Sequence, residues 1–159
     1  MKTTLPIFYF LLFISIVACN NSDDSEKEDN KKQPAQVTQT DSLMNGIMDD
    51  HDAGMGKMGK LSTMKNNVQK VIDSIEKLPL QTQTALAPYK ENLNNLIKEL
   101  QYAKEEMNKW MEEFNMDSAI NNAEQRLKYL SEERLKVSKV REDIFNSLQK
   151  ADSLIKPKF

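Results

Sequence analysis

The chain has 159 residues, with 22 Lys and Arg against 24 Asp and Glu, one His and one Cys. A formal net charge of −2 with no basic stripe excludes the electrostatic footprint of a nucleic-acid binder, and equally of a surface drawn to anionic lipid headgroups. A single cysteine and a single histidine exclude a disulfide framework and a thiolate or multi-histidine zinc site.

Residues 1–19, MKTTLPIFYFLLFISIVAC, carry one early lysine and an apolar run from Leu5 to Val17 broken only by Ser15. A spanning helix needs about 20 apolar residues, so the run reads as a secretory signal peptide over 1–18 rather than a membrane span. Its ending, Ile16-Val17-Ala18-Cys19, resembles the lipobox of bacterial lipoproteins. That resemblance implies cleavage before Cys19, a diacylglycerol on its sulfur and acylation of the new amine. Each buried methylene contributes about 0.8 kcal/mol, and several chains together anchor a protein stably to a membrane. No thiol then remains for other chemistry, and the fold must hold without covalent staples.

Residues 20–40, NNSDDSEKEDNKKQPAQVTQT, contain only Ala35 and Val37 as apolar side chains. Such a stretch cannot bury enough surface to offset the entropy of ordering, so 19–40 reads as a lipidated cysteine followed by a disordered tether. Its mean reach is about 25 Å. The acidic run Asn21-Ser22-Asp23-Asp24-Ser25-Glu26 is similar to the export signal of surface-exposed lipoproteins of Bacteroidota. The resemblance implies an outer-membrane protein displayed on the cell surface; taken as an ordinary solvated spacer, the same run leaves the protein on the periplasmic face.

From Asp41 the signals are helical. The spacing predicts an all-α domain over 41–156, an up-down-up bundle of three long coiled-coil-like helices at about 42–78, 84–115 and 118–156. The first takes the seam Met44, Met48, His51, Met55, Met58, Leu61, Met64, Val68, Val71, Ile75 and Leu78, with a stammer-like spacing of three across 58, 61 and 64. The second follows Tyr89, Leu93, Leu96, Leu100, Ala103, Met107, Trp110 and Phe114. The third follows Ile120, Ala123, Leu127, Leu130, Arg134, Val137, Arg141, Ile144, Leu148, Ala151 and Ile155. Leu78-Pro79 closes the first helix, Pro88 lies in the first turn of the second, and Asp117 is placed as the N-cap of the third. Short connections imply antiparallel neighbours.

Arg134 and Arg141 fall on a seam, where a charge is costly unless paired. Their stems are expected to pack while the guanidinium groups reach an acid on a neighbouring helix; a polar layer that fixes register or recognises a partner carboxylate is the functional version.

The stretch MNGIMDDHDAGMGKMGKL, residues 44–61, holds all four glycines, the single histidine and four of the nine methionines. Antiparallel folding brings it beside Met107, Trp110, Met111 and Met116. Thioether sulfur and neutral imidazole suit Cu(I) or Ag(I). His51, Met55 and Met58 at i, i+4 and i+7 would share one helix face, with Met107 or Met111 supplying sulfur across the interface. Methionine is also the ordinary filler of cores, and seam spacing alone accounts for its positions. Each glycine costs about 1 kcal/mol in a helix interior, a local conflict that marks a functional site, a frayed helix or a close backbone approach. Asp49, Asp50 and Asp52 flank His51 but point in different directions on one helix, so they make no hard-metal site.

Taken together, His51-Asp52-x-x-Met55-x-x-Met58-Gly59, Met107-x-x-Trp110-Met111-x-x-Phe114, Tyr129-Leu130-x-x-Glu133 and Lys139-Val140 resemble a group of small Bacteroidota lipoproteins often labelled viral A-type inclusion protein. The resemblance spans about residues 44–155 and implies a coiled-coil fold; no activity, catalytic residue or cofactor comes with it. Nothing in the sequence meets the geometric requirements of an active site. The expectation is a non-enzyme that works through a protein partner or self-association of its helices, with an envelope Cu(I) binder as the alternative.

Overall fold

The computed structural model describes residues 33–156, with side chains from 38 onward. The leader, Cys19 and the acidic run behind it lie outside the described residues. Every regular element among the described residues is a helix: α1 (Gln33–Met55), α2 (Met58–Glu76), α3 (Leu80–Ala85), α4 (Ala87–Glu113) and α5 (Ala123–Ile155). Four of them pack against one another, and the short α3 touches α4 in the turn. No helix among the described residues is long and apolar enough to cross a membrane.

The boundaries differ from the spacing-based expectation in each of the three expected helices. Helical structure already begins at Gln33, inside the segment read as tether, and the expected helix over 42–78 is divided at Gly56-Lys57. There the Lys57 amide donates to Gly54 O at 2.9 Å, a tightened i to i−3 bond, while Gly56 still bonds Asp52 O at 2.9 Å. The i to i−4 ladder resumes with Leu61 on Lys57 O. Glycines at 54, 56 and 59 give this stretch little helical preference of its own.

At the second boundary Pro88 is the cause. Its ring would meet the carbonyl four residues back if the helix ran through, so α3 stops at Ala85 and α4 starts at Ala87 with Pro88 in its first turn. At the third, α5 starts at Ala123, capped by the Asn122 side chain accepting from the Gln125 amide at 3.0 Å, not by Asp117. Asn115 Oδ1 takes the Asp117 amide instead, Arg126 Nη1 donates to Ser118 O at 2.8 Å, and Ala119 adopts φ 56°. These local bonds hold residues 114–122 in turns and leave Ile120 63 % exposed, outside the seam.

Cross-helix pairs give the relative directions. Glu76 meets Lys90, Lys65 meets Gln101 and Ser62 meets Lys104, so α2 and α4 run antiparallel. Glu99 meets Lys150 and Trp110 meets Glu133, so α4 and α5 do likewise. Lys60 meets Asp152 and Asp50 meets Ser138, so α1 and α2 follow the direction of α5. Tyr89 closes the far end, its hydroxyl donating to Leu154 O at 2.9 Å.

On α4 the inward face is the expected one, Leu93, Leu96, Leu100, Ala103, Met107 and Trp110. On α5 Leu130, Val137, Ile144, Leu148 and Ala151 are buried, joined by Glu133, Val140 and Ser147. The expected stripe of α1 is off by one residue. Its inward positions are half-buried Leu43, then Ile47, Asp50 and Gly54, in step with Leu61, Met64 and Val68 of α2. Met44 and Met48 sit half-buried on the flank, and Met55 is 37 % exposed.

Two glycines are explained by this packing. A Cβ on Gly54 would overlap the methyl of Met107 and press on Ile144 Cδ1 at 3.3 Å, and a Cβ on Gly46 would lie 2.9 Å from the guanidinium carbon of Arg134. Gly59 has nothing within 4 Å of its Cβ position. Overpacking a core costs about 1 to 3 kcal/mol and alanine recovers about 1 kcal/mol of helix preference. Gly54→Ala should therefore lower stability by up to about 2 kcal/mol, whereas Gly59→Ala should raise it by up to about 1 kcal/mol. Urea midpoints of the two variants, read by circular dichroism, check the opposite signs.

Candidate functional site

α1 brings one charged side chain into the interior. Asp50 is 4 % exposed, and α5 supplies everything that holds it. The Ser138 hydroxyl donates to Asp50 Oδ2, Arg134 Nη1 lies 2.8 Å from the same oxygen, and Arg141 Nε lies 3.2 Å from Oδ1. The two arginine nitrogens are buried and their N–H directions miss the hydrogen-bond geometry, so they act on the carboxylate as nearby charges more than as aligned donors. Residues 134, 138 and 141 follow at 4 and 3 along α5, one stripe facing α1. The expectation that both arginines find an acid on a neighbouring helix is met by Asp50 of α1.

Burial pushes the Asp50 carboxyl up, but the Ser138 hydrogen bond and the Arg134 and Arg141 charges outweigh it and hold it below its ordinary value. A second acid, Glu133, is 5 % exposed on the face of α5 turned to α4. It accepts from Trp110 Nε1 at 2.9 Å and pairs with Lys136 at 2.8 Å. Both buried acids are thus consumed by helix docking.

His51 follows Asp50 and faces α4. Its Nε2 stands 3.4 Å from Met111 Sδ, its Nδ1 2.9 Å from Asp52 Oδ1, and its side chain is 20 % exposed. The imidazole is 5.8 Å from the Trp110 ring, which stacks on Phe114 at 4.8 Å; Phe114 in turn lies 6.2 Å from Tyr129. Tyr129 OH accepts the Asn115 amide at 2.8 Å, fixing the aromatic row to the turn.

Of the soft donors proposed from sequence, the structure brings His51 and Met111 together. Met107 is fully buried one turn away on α4, against Gly54. Met55 ends α1 on the exposed side and Met58 opens α2 beyond the break, so His51, Met55 and Met58 do not lie on one continuous helix. Met116 is 56 % exposed in the turn. No group of three His, Cys, Asp or Glu that could hold a metal ion occurs among the described residues.

A groove of about 590 Å³ lies between α4 and α5 and is walled by those two helices alone. Tyr102, 54 % exposed, lines it together with the edges of Trp110 and Val140. Lysines and acids share the rim.

The Asp50 arrangement predicts an asymmetry. Removing one partner of a buried pair costs about 3 to 5 kcal/mol when the other charge stays buried. Asp50→Ala leaves arginines 34 and 41 % exposed that can turn to water, so its cost should be smaller, about 1 to 3 kcal/mol. Replacing Arg134 and Arg141 together by Leu strands the carboxylate and should cost more than Asp50→Ala. The lowered carboxyl also fixes a pH dependence: its contribution is complete above the unfolded value of 3.8 and is lost as pH falls through the lower folded value. Thermal melts between pH 5 and pH 2 should show an acid-induced loss that Asp50→Asn reduces. No protein-family model, curated protein or solved structure matches the chain.

Proposed function

We propose that the chain is a lipid-anchored, non-catalytic protein of the outer membrane, displayed at the cell surface, that acts through helix contacts with a protein partner or a second copy of itself. In this reading it belongs with the small Bacteroidota lipoproteins it resembles, Cys19 carries the lipid, and no nucleic acid is bound. α1 and α2 serve as one interrupted rod beside α4 and α5, making the bundle up-down-up, and the groove between α4 and α5 is its open flank.

That groove is the observation that carries the reading. Its floor offers Tyr102 and Val140, and its rim mixes Glu99, Glu106 and Asp143 with Lys109, Lys136 and Lys139. Glu99, Lys136 and Asp143 with Lys139 are already paired inside the chain, so exposed Tyr102 between them is the group that a second copy related by two-fold symmetry would cover. The buried polar groups of the bundle support the same view, because Asp50 and Glu133 are occupied by packing partners and are not poised for chemistry.

Sedimentation velocity on the mature protein should show a concentration-dependent dimer that Tyr102→Glu abolishes without loss of helix content. A chain monomeric up to about 100 μM, with no partner captured by a photo-crosslinker at position 102 in intact cells, sinks the contact reading. Cys19→Ala should move the protein from the membrane to the soluble fraction. Deleting Asp23 to Glu26 should remove its protease accessibility on whole cells.

A further inference from the structure

The geometry points to a soft-cation site between His51 of α1 and Met111 of α4, selective for Cu(I) or Ag(I). It goes beyond the contact role, and its two donors lie outside the α4–α5 groove, with which the site shares Trp110.

The argument starts from the proton on His51. Nδ1 lies 2.9 Å from Asp52 Oδ1, a carboxylate that can only accept, so Nδ1 carries the hydrogen. In the neutral ring Nε2 is then a bare lone pair, the tautomer that metal-binding histidines take when a carboxylate holds the other nitrogen. That lone pair is aimed at Met111 Sδ at 3.4 Å, which also has only lone pairs to offer. Two electron-pair donors facing each other at contact distance are satisfied by an electrophile between them.

Either a proton or a metal ion can be that electrophile, and the donor set says which metal. Thioether sulfur is a poor ligand for Mg²⁺ or Ca²⁺ and a good one for Cu(I). At bond lengths like those zinc makes, about 2.0 Å to nitrogen and 2.3 Å to sulfur, an ion beside the line joining the two atoms reaches both across 3.4 Å at an N–metal–S angle of roughly 105°. An angle that far from linear leaves coordination positions open. Met107 lies one turn from Met111 on α4, against Gly54, itself one turn from His51 on α1. A residue larger than glycine at 54 would displace the Met107 end from this place. The Trp110 ring, 5.8 Å from the imidazole, gives a polarisable face beside the site and a built-in reporter.

The test uses the full chain in detergent with Cys19→Ser, so that no thiol competes, and Ag(I) as a redox-inert probe. One equivalent should bind and quench the fluorescence of Trp110, the one tryptophan of the chain. Met111→Leu, which removes the sulfur at nearly constant volume, and His51→Gln should each weaken binding at least tenfold against a competing chelator. Met55→Leu and Met116→Leu should leave it unchanged. The ¹⁵N resonance of His51 Nε2 should move on silver addition while Nδ1 keeps its proton. Circular dichroism confirms that each variant is folded. If Met111→Leu or His51→Gln binds silver within threefold of the parent, or if no binding occurs below 10 μM, the inference is overturned and the pair is a protonated imidazole donating to sulfur.

Discussion

Asp50 occupies a position at which a helix seated on another would ordinarily present an apolar side chain, and it remains charged there because α5 brings Ser138, Arg134 and Arg141 to it. Much of the arrangement at this end of the molecule follows from that pairing. With Asp50 turned to α5, the next residue is rotated by about 100° around the helix, which points His51 toward α4 and into reach of Met111. The same rotation puts Gly46 under the Arg134 guanidinium and Gly54 against Met107. A one-residue turn of α1 that brought Met44, Met48 and Met55 inward would bury a methionine stripe but would leave two arginines of α5 without their acid.

The adjacent residues Glu133 and Arg134 divide α5 between its neighbours. Glu133 turns to Trp110 of α4, and Arg134 turns to Asp50 of α1. Replacing such contacts by well-packed apolar residues is often neutral or stabilising, so their contribution is better understood as choice among registers than as net stability. A bundle whose seams repeat Leu, Ile, Val, Met and Ala has many near-equivalent alignments. Two buried acids, each with partners on one face of another helix, single out one of them.

The helical class and the inward face of α4 were legible in the sequence, because Leu93 to Trp110 keep an uninterrupted period; of α5 the apolar positions Leu130, Val137, Ile144, Leu148 and Ala151 were legible, but not Glu133, Val140 and Ser147 beside them. The face of α1 was not. Methionines at 44, 48, 55 and 58 form the more apolar stripe, and hydrophobic spacing selects it. The stripe in contact holds an aspartate and a glycine, whose fitness for the interior depends on Arg134 and Met107, more than fifty residues away. The seam arginines themselves carried the missing signal: two charges seven residues apart on one helix call for an acid opposite them, and of Asp49, Asp50 and Asp52 only Asp50 continues the heptad from Leu43 and Ile47 to Gly54 and Leu61. Pro88 lies in the first turn of its helix as its fixed φ predicts, whereas the break at 56–57 falls inside a periodic pattern and shows only in the glycines at 54, 56 and 59.

The interruption at Gly56-Lys57 sets α1 apart mechanically. Yet its packing on α5 is the most extensive helix pair among the described residues, built on Ile47, the half-buried Leu43 and Met44, Gly54 against Ile144, and the Asp50 ionic cluster. The joint interrupts the helix without releasing α1, which can leave only by breaking the ionic cluster and its apolar contacts with α5 together. Any pull arriving from the residues before Gln33 loads this element first. α1 then behaves as a clamp, carrying that load into α5 through Asp50, Arg134 and Arg141.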